Sequence, residues 1–188
     1  MTPNTKVKFT TNSGRAQYPW LNTPDTAFGN APKYKTNLIM DWNEATDLVS
    51  KIQEFVADTF GKDADKAKLP YKTDDETGET VITVKSNYAP YFFDSQGQPL
   101  VDEQIPDIWG GSIIRIGGFI KPYRVSGNKG ITLQLTKVQV IEPVSDGSSF
   151  EAVEGGFVAQ QILQKEALDN APEEAEEAMA EATAADRF

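Results

Sequence analysis

With 188 residues and neither cysteine nor histidine, the chain is long enough for one core without covalent staples. Its composition excludes disulfides, thiolate–metal sites, thiol nucleophiles and Ser–His–Asp chemistry. The net charge of −10 is unevenly spread, because residues 143–188 hold 11 acidic and 2 basic side chains while residues 1–142 hold 17 and 16. The objection that an acidic protein cannot hold a polyanion therefore applies to the arm and not to the body.

Residues 6–10 alternate, with Val7 and Phe9 in phase, and predict an opening strand. Residues 1–11 have no apolar signal core and no stretch is long enough to span a membrane, so the chain reads as soluble and cytoplasmic, without membrane contact. Residues 12–32 hold three prolines and two glycines and read as a loop that carries Tyr18, Trp20, Leu21 and Phe28. A loop rarely buries such side chains well. Residues 33–40 set Tyr34, Thr36, Leu38 and Met40 against Lys33, Lys35, Asn37 and Ile39, a half-buried strand with two lysines on its other face. Asp41 and Glu44 have the spacing of a capping box. Ala45, Leu48, Val49, Ile52, Phe55, Val56 and Phe60 then recur at three and four before Gly61, which predicts an amphipathic helix. Residues 62–78 read as a charged, mobile connection.

Residues 81–88 are β-branched and strand-like. Tyr88, Tyr91, Phe92 and Phe93 fall within six residues, and alternation places about half of them in the core. Residues 94–97 (D-S-Q-G) predict a turn. Residues 112–121 predict a strand sharply bent at Gly117-Gly118, and residues 121–129 a hairpin loop. Ile131, Leu133 and Leu135 lie in one phase, Val138 and Val140 in the other; one extra residue near Thr136 and Lys137, a bulge, returns both groups to the core. These elements give a mainly β domain over residues 1–142, with about five bent strands and one helix between early strands. That number fits a small barrel better than a sandwich. Residues 143–188 form an acidic arm, with a short helix expected at 156–168 and an Ala/Glu-rich stretch that has little to bury.

The segment Phe119-Ile120-Lys121-Pro122-Tyr123-Arg124, closing with Asn128-Lys129-Gly130, sets an aromatic among cations. Single-stranded nucleic acid needs that mixture, since bases stack on ring faces and cations track the backbone. The same residues also fit a plain barrel cap with solvated lysines. Residues 27–35 repeat the mixture. Asp94, Asp102, Glu103 and Asp107 are spaced too irregularly for a metal-ligand loop and read as surface acids.

Tyr18-Pro19-Trp20 with Pro24-Asp25 and Phe28-Gly29-Asn30 is followed in order by Phe93-Asp94-Ser95-Gln96-Gly97, Ile105-Pro106 and Gly110-Gly111-Ser112. Pro122-Tyr123, residues 130–135 and a terminal aromatic, Phe188, complete the series. This order resembles the phage replication single-stranded DNA-binding proteins of the gene-two-and-a-half type, with a divergent stretch from about residue 45 to 80. The resemblance implies an OB-fold barrel that binds single-stranded DNA with little sequence preference. It further implies an acidic tail that competes with DNA and contacts the phage DNA polymerase and helicase-primase or recombination proteins, in the cytoplasm of the bacterial host. Lys33 and Tyr123 match positions of the family's binding face. Arg187 before Phe188, and alanines among the acids, depart from its tail pattern.

The expected groove is lined by Lys33, Lys35, Lys85, Arg115, Lys121, Arg124 and Lys129. Tyr123 and one or more of Trp20, Phe28, Tyr91 and Trp109 would stack on bases. In the arm, Glu173, Glu174, Glu176, Glu177, Glu181, Asp186 and Phe188 form the expected partner-binding set. No enzymatic role, cofactor or metal is expected, and a homodimer is left open. A different class of reading is a protein-interaction barrel whose tail mimics DNA. A carboxylate-metal nuclease is disfavoured by the absence of histidine and cysteine.

Overall fold

The computed structural model describes residues 6–29 and 31–144, so the arm's predicted elements lie outside the described residues. The chain runs through β1 (Val7–Thr10), β2 (Gly14–Asp25), β3 (Lys33–Asp41), α1 (Trp42–Phe60), β4 (Tyr71–Thr73), β5 (Glu79–Ser86), β6 (Tyr91–Phe93), β7 (Ile113–Val125) and β8 (Asn128–Glu142). Five of these strands close a ring in the order β2–β3–β5–β8–β7 and back to β2. The β5–β8 pair is parallel and the other ring pairs are antiparallel. With α1 following the second ring strand, this is the OB-like five-stranded barrel that the sequence predicted. β1 adds to β7, β4 to β5 and β6 to β8 at its margins.

Alternation fills the interior. Leu38, Ile82, Val84, Ile114, Ile116, Ile120, Leu133 and Val138 are fully enclosed. α1 closes the barrel with the apolar stripe its periodicity predicted, Ala45 through Phe60, all buried. Ring closure needs a sharp coil in β7. Lys137 stands opposite Gly117 but Leu135 stands opposite Gly118, which leaves Thr136 as the predicted bulge residue. A Cβ on Gly118 would collide with the Gln134 carbonyl oxygen, so only glycine permits this approach.

Four local expectations are corrected. Residues 12–32 are mostly strand: β2 pairs with β3 through two register irregularities, and Tyr18 takes a left-handed φ of 49° at the first. Those irregularities accommodate Pro19 and destroy the period-2 pattern that would have announced a strand. Asp41 does sit at the helix N-cap, but its side chain makes no cap bond, and the Trp42 N–H donates instead to the Gly78 carbonyl at 3.1 Å. Residues 62–78 are structured, first as a 3-10 turn (Gly61–Lys66) and then as β4. The Asp74 carboxylate accepts from the Glu76 and Thr77 N–H groups and fixes the next turn; these bonds hold it below the ordinary carboxylate range. Finally, the loop expected at 121–129 shrinks to Ser126-Gly127. Both have positive φ, 47° and 79°, as a two-residue primed hairpin turn requires.

Candidate nucleic-acid interface

Because Leu38, Ile82 and Val84 point inward, Lys33, Lys35, Asn37, Thr83 and Lys85 must stand on the outer face of β3 and β5. Register extends that face across the ring. Trp20 stands opposite Lys35, Lys35 opposite Lys85, Lys85 opposite Gln134, and Lys121 opposite Thr132. Lys33, Lys85 and Lys121 thus come from three strands to line one shallow cleft of about 200 Å³ with Tyr88, Thr132 and Gln134. Among the described residues none of these three lysines has an ion-pair partner within 4.0 Å. Tyr88 is 74% exposed there, its N–H bonded to the hydroxyl of buried Ser86.

Lys35 differs from its neighbours. It is ion-paired to Asp25, and the Asp25 carboxyl is held below its usual range by Lys35 first and by the Ala27 N–H second. The latter bond, 2.9 Å to Oδ1, anchors the short turn Ala27–Gly29 between β2 and β3. The side chain of Phe28 in that turn lies outside the described residues.

Tyr123 is half-buried opposite Gly130. Its ring lies so close that a Cβ on Gly130 would meet the hydroxyl at 2.8 Å and a ring carbon at 2.9 Å. The same ring walls a second cleft of about 640 Å³, shared with Lys68, Leu69, Lys72, Thr83 and Lys85. The ring therefore both packs over Gly130 of β8 and lines the surface.

Most of the remaining predicted residues fall elsewhere. Arg124 and Lys129 have the opposite phase from Tyr123 and meet, respectively, the end of α1 and the 3-10 turn after it. The Arg124 guanidinium lies 5.0 Å from the centre of the Phe60 ring, and Lys129 pairs with Asp63 at 2.8 Å. Lys129, then Lys66, hold the Asp63 carboxyl low. Arg115 donates to the Thr11 carbonyl and to Gln139, in a separate hollow with Phe93 and Lys137. Tyr91, 76% exposed, pairs with Lys137 beside that hollow. Trp109 lies at the edge of the cationic face, where it shares a hollow of about 350 Å³ with Trp20. Asn22 fastens it by donating to the Pro106 carbonyl and accepting from the Ile108 N–H, both at 2.9 Å. The predicted arm residues from Glu173 to Phe188 lie outside the described residues.

Sequence reasoning placed Tyr88 in an aromatic cluster but not at the cleft, and it did not place Lys68 and Lys72 beside Tyr123. Those lysines belong to the segment taken as a mobile connection. The short parallel bridge between Lys68 and Gly130 brings the segment alongside β8, a pairing without local sequence signal. Among the described residues no group of three or more acids is placed to hold a metal ion. Of the four surface acids, Asp94 accepts from the Gln96 and Gln98 N–H groups in the predicted turn. No helix of the described residues is long and apolar enough to cross a membrane.

Comparison with known proteins agrees with this architecture. The bacteriophage T7 single-stranded DNA binding protein gp2.5 superposes with a TM-score of 0.65 at 22% identity, covering 82% of this chain and 99% of that one. The single-stranded DNA-binding protein of bacteriophage Enc34 gives 0.56 at 22% identity, over 78% of this chain and 87% of its own. The same Enc34 protein in complex with ssDNA gives 0.57 at 21% identity, over 75% and 88%. At these identities the likeness speaks for the OB-like fold. No curated protein matches the chain. The family model built on the Enterobacter phage Enc34 ssDNA-binding protein matches residues 5–170. That span includes most of the motifs behind the gene-two-and-a-half resemblance, and the chain belongs to this phage ssDNA-binding protein family.

Proposed function

We propose that this protein binds and coats single-stranded DNA, with little sequence preference, during phage DNA replication, recombination and repair, and that it catalyses no reaction. The observation that carries the reading is the convergence on one cleft, beside exposed Tyr88, of Lys33, Lys85 and Lys121, which have no ion-pair partner among the described residues. Like charges are gathered there against their mutual repulsion, and a phosphate backbone would relieve it. Ring faces and ammonium groups accept any base, whereas sequence readout needs groups aimed at base edges. The strand would run from Trp20 beside Lys35, across Lys85, to Lys121 and Tyr123, the face that OB-folds offer to oligonucleotides. Trp109 extends the aromatic surface at the Trp20 end, and Phe28 belongs to the turn beside Lys33. Arg115, Arg124 and Lys129 already have protein partners, so their share is the long-range field. Tyr91, beside the Arg115 hollow, stands away from this path.

In this reading residues 1–142 are the DNA-binding unit and residues 143–188 an arm that competes for the cationic face. Its acids, Glu173, Glu174, Glu176, Glu177, Glu181 and Asp186, together with Phe188, recruit the phage DNA polymerase and helicase-primase or recombination proteins in the host cytoplasm. The charge asymmetry of the chain supports this division. The test is a salt series of titrations with labelled poly-dT on the protein and on its Lys33→Ala, Lys85→Ala and Lys121→Ala variants. Each lost phosphate contact should flatten the log–log salt slope by about 0.7. An unchanged slope in all three would move the site elsewhere. Absence of salt-dependent DNA binding would favour a protein-interaction barrel with a DNA-mimicking tail.

A further inference from the structure

The cleft beside Tyr123 is larger than the one that gathers Lys33, Lys85 and Lys121, and the two adjoin, because Lys85 and Thr132 line both. We infer that it is a second single-strand subsite, which takes the strand off the β3–β5 face and along residues 68–73, with phosphates on Lys68 and Lys72 and a base against Tyr123 and Leu69. The inference rests on the DNA-binding reading above and adds to it a path, two contacts and an end point.

Several independent features support it. Its volume of about 640 Å³ falls within the ~300–1,000 Å³ of sites that enclose small ligands. Lys68 and Lys72 are exposed, and among the described residues neither has an ion-pair partner within 4.0 Å. Leu69, 42% exposed, adds an apolar surface to the cleft whose wall includes the Tyr123 ring. The wall is held in place before any strand arrives. Lys68 N–H donates to the Lys129 carbonyl at 3.0 Å, Ile131 N–H to the Lys68 carbonyl at 2.9 Å, and Thr83 N–H to the Pro70 carbonyl at 2.8 Å. Such preorganisation lowers the ordering cost of binding.

The far end of the cleft is acidic. Asp74 and Glu79 line it there, one tied into its own turn and the other paired with Arg15 at 3.2 Å. Carboxylates repel a phosphate backbone, so the path stops before them, and the subsite adds one or two nucleotides rather than a long track.

The experiment uses the full chain and labelled oligo-dT of graded length. The Lys68→Ala/Lys72→Ala double variant is compared with wild type and with Lys51→Ala/Lys62→Ala, which removes equal charge from α1 and the 3-10 turn after it. With long oligonucleotides the double variant should flatten the salt slope by about 1.4, two single-strand contacts, while the control pair leaves it unchanged. The length at which affinity stops rising should shorten by one or two nucleotides, and short oligonucleotides should bind as to wild type. Equal effects from the two pairs would reduce the result to general charge and overturn the inference. So would an unchanged slope and plateau length in the Lys68/Lys72 variant. If that variant is silent while Lys33→Ala, Lys85→Ala and Lys121→Ala flatten the slope, only this subsite fails; if all are silent, the DNA-binding face itself is misplaced.

Discussion

Lys35 and Lys85 face one another directly across the β3–β5 ladder, two ammonium groups on one outer face. Like charges placed directly opposite on a sheet are destabilising. Asp25 offsets Lys35, but among the described residues no carboxylate lies within 4.0 Å of Lys85. Lys85→Gln should therefore raise stability in denaturant while weakening single-stranded DNA binding. Lower stability with affinity intact would mark Lys85 as a structural residue.

Asp25 is an acid on the face proposed for DNA, and it occupies Lys35. Asp25→Asn should raise DNA affinity at low salt and steepen the salt slope by about 0.7 as Lys35 becomes available. The pH dependence has a definite sign. The folded carboxyl titrates below its usual value, so its stabilising contribution is present above the ordinary carboxylate range and fades as pH falls through the folded value. The stability gap between wild type and Asp25→Asn should be full at neutral pH and close in acid. A drop in DNA affinity would show that anchoring the Ala27–Gly29 turn outweighs the freed lysine.

For Tyr123, the ring supplies the proposed interaction. Tyr123→Ala should cost about 1–3 kcal/mol of single-stranded DNA affinity, the usual loss of one base–aromatic stack, and Tyr123→Phe should be nearly neutral. Because the ring also covers Gly130, melting temperatures must accompany the titrations. If both variants melt earlier and bind DNA as before, Tyr123 only closes the barrel.

Two glycines separate close approach from backbone conformation. A Cβ at Gly118 meets the Gln134 backbone, so Gly118→Ala should destabilise the barrel by about 3 kcal/mol or more. Gly127 has open space around it and a φ of 79°, so Gly127→Ala should cost only ~1–2 kcal/mol, the left-handed penalty of an L-residue. Similar losses at both positions, measured by chemical denaturation, would contradict the tight β7–β8 coil.

Deleting residues 143–188 changes the net charge of the chain from −10 to −1. The truncated protein should bind single-stranded DNA more tightly at low salt, and the difference should shrink as salt screens the arm. Removing Phe188 alone takes away a ring and no side-chain charge. DNA affinity should hold while pull-down by the phage polymerase or helicase weakens, as expected where an aromatic anchors a small interface. Equal DNA affinity with and without the arm at low salt would end its role as a competitor.

Where structure depends on neighbours a few residues apart, the sequence was sufficient. The α1 stripe from Ala45 to Phe60, the two faces of β3 and the bulge at Thr136 all follow from a period of 3.6 or 2 read along consecutive residues. The same logic put Lys33 and Lys35 on an outer face. It failed at β2, where the register breaks around Trp20 erase the period, and at β4, whose three residues gain their place only by pairing with β5. It also could not tell that Arg124 turns to Phe60 while Tyr123 lines a cleft, because that divergence depends on how far the hairpin extends as strand. Above all, Lys33, Lys85 and Lys121 are far apart in the chain and meet only because the ring closes through β5–β8 and β7–β8. Periodicity decides which side of a strand a lysine occupies; strand order and register, set by burial of the whole core, decide which lysines share a site.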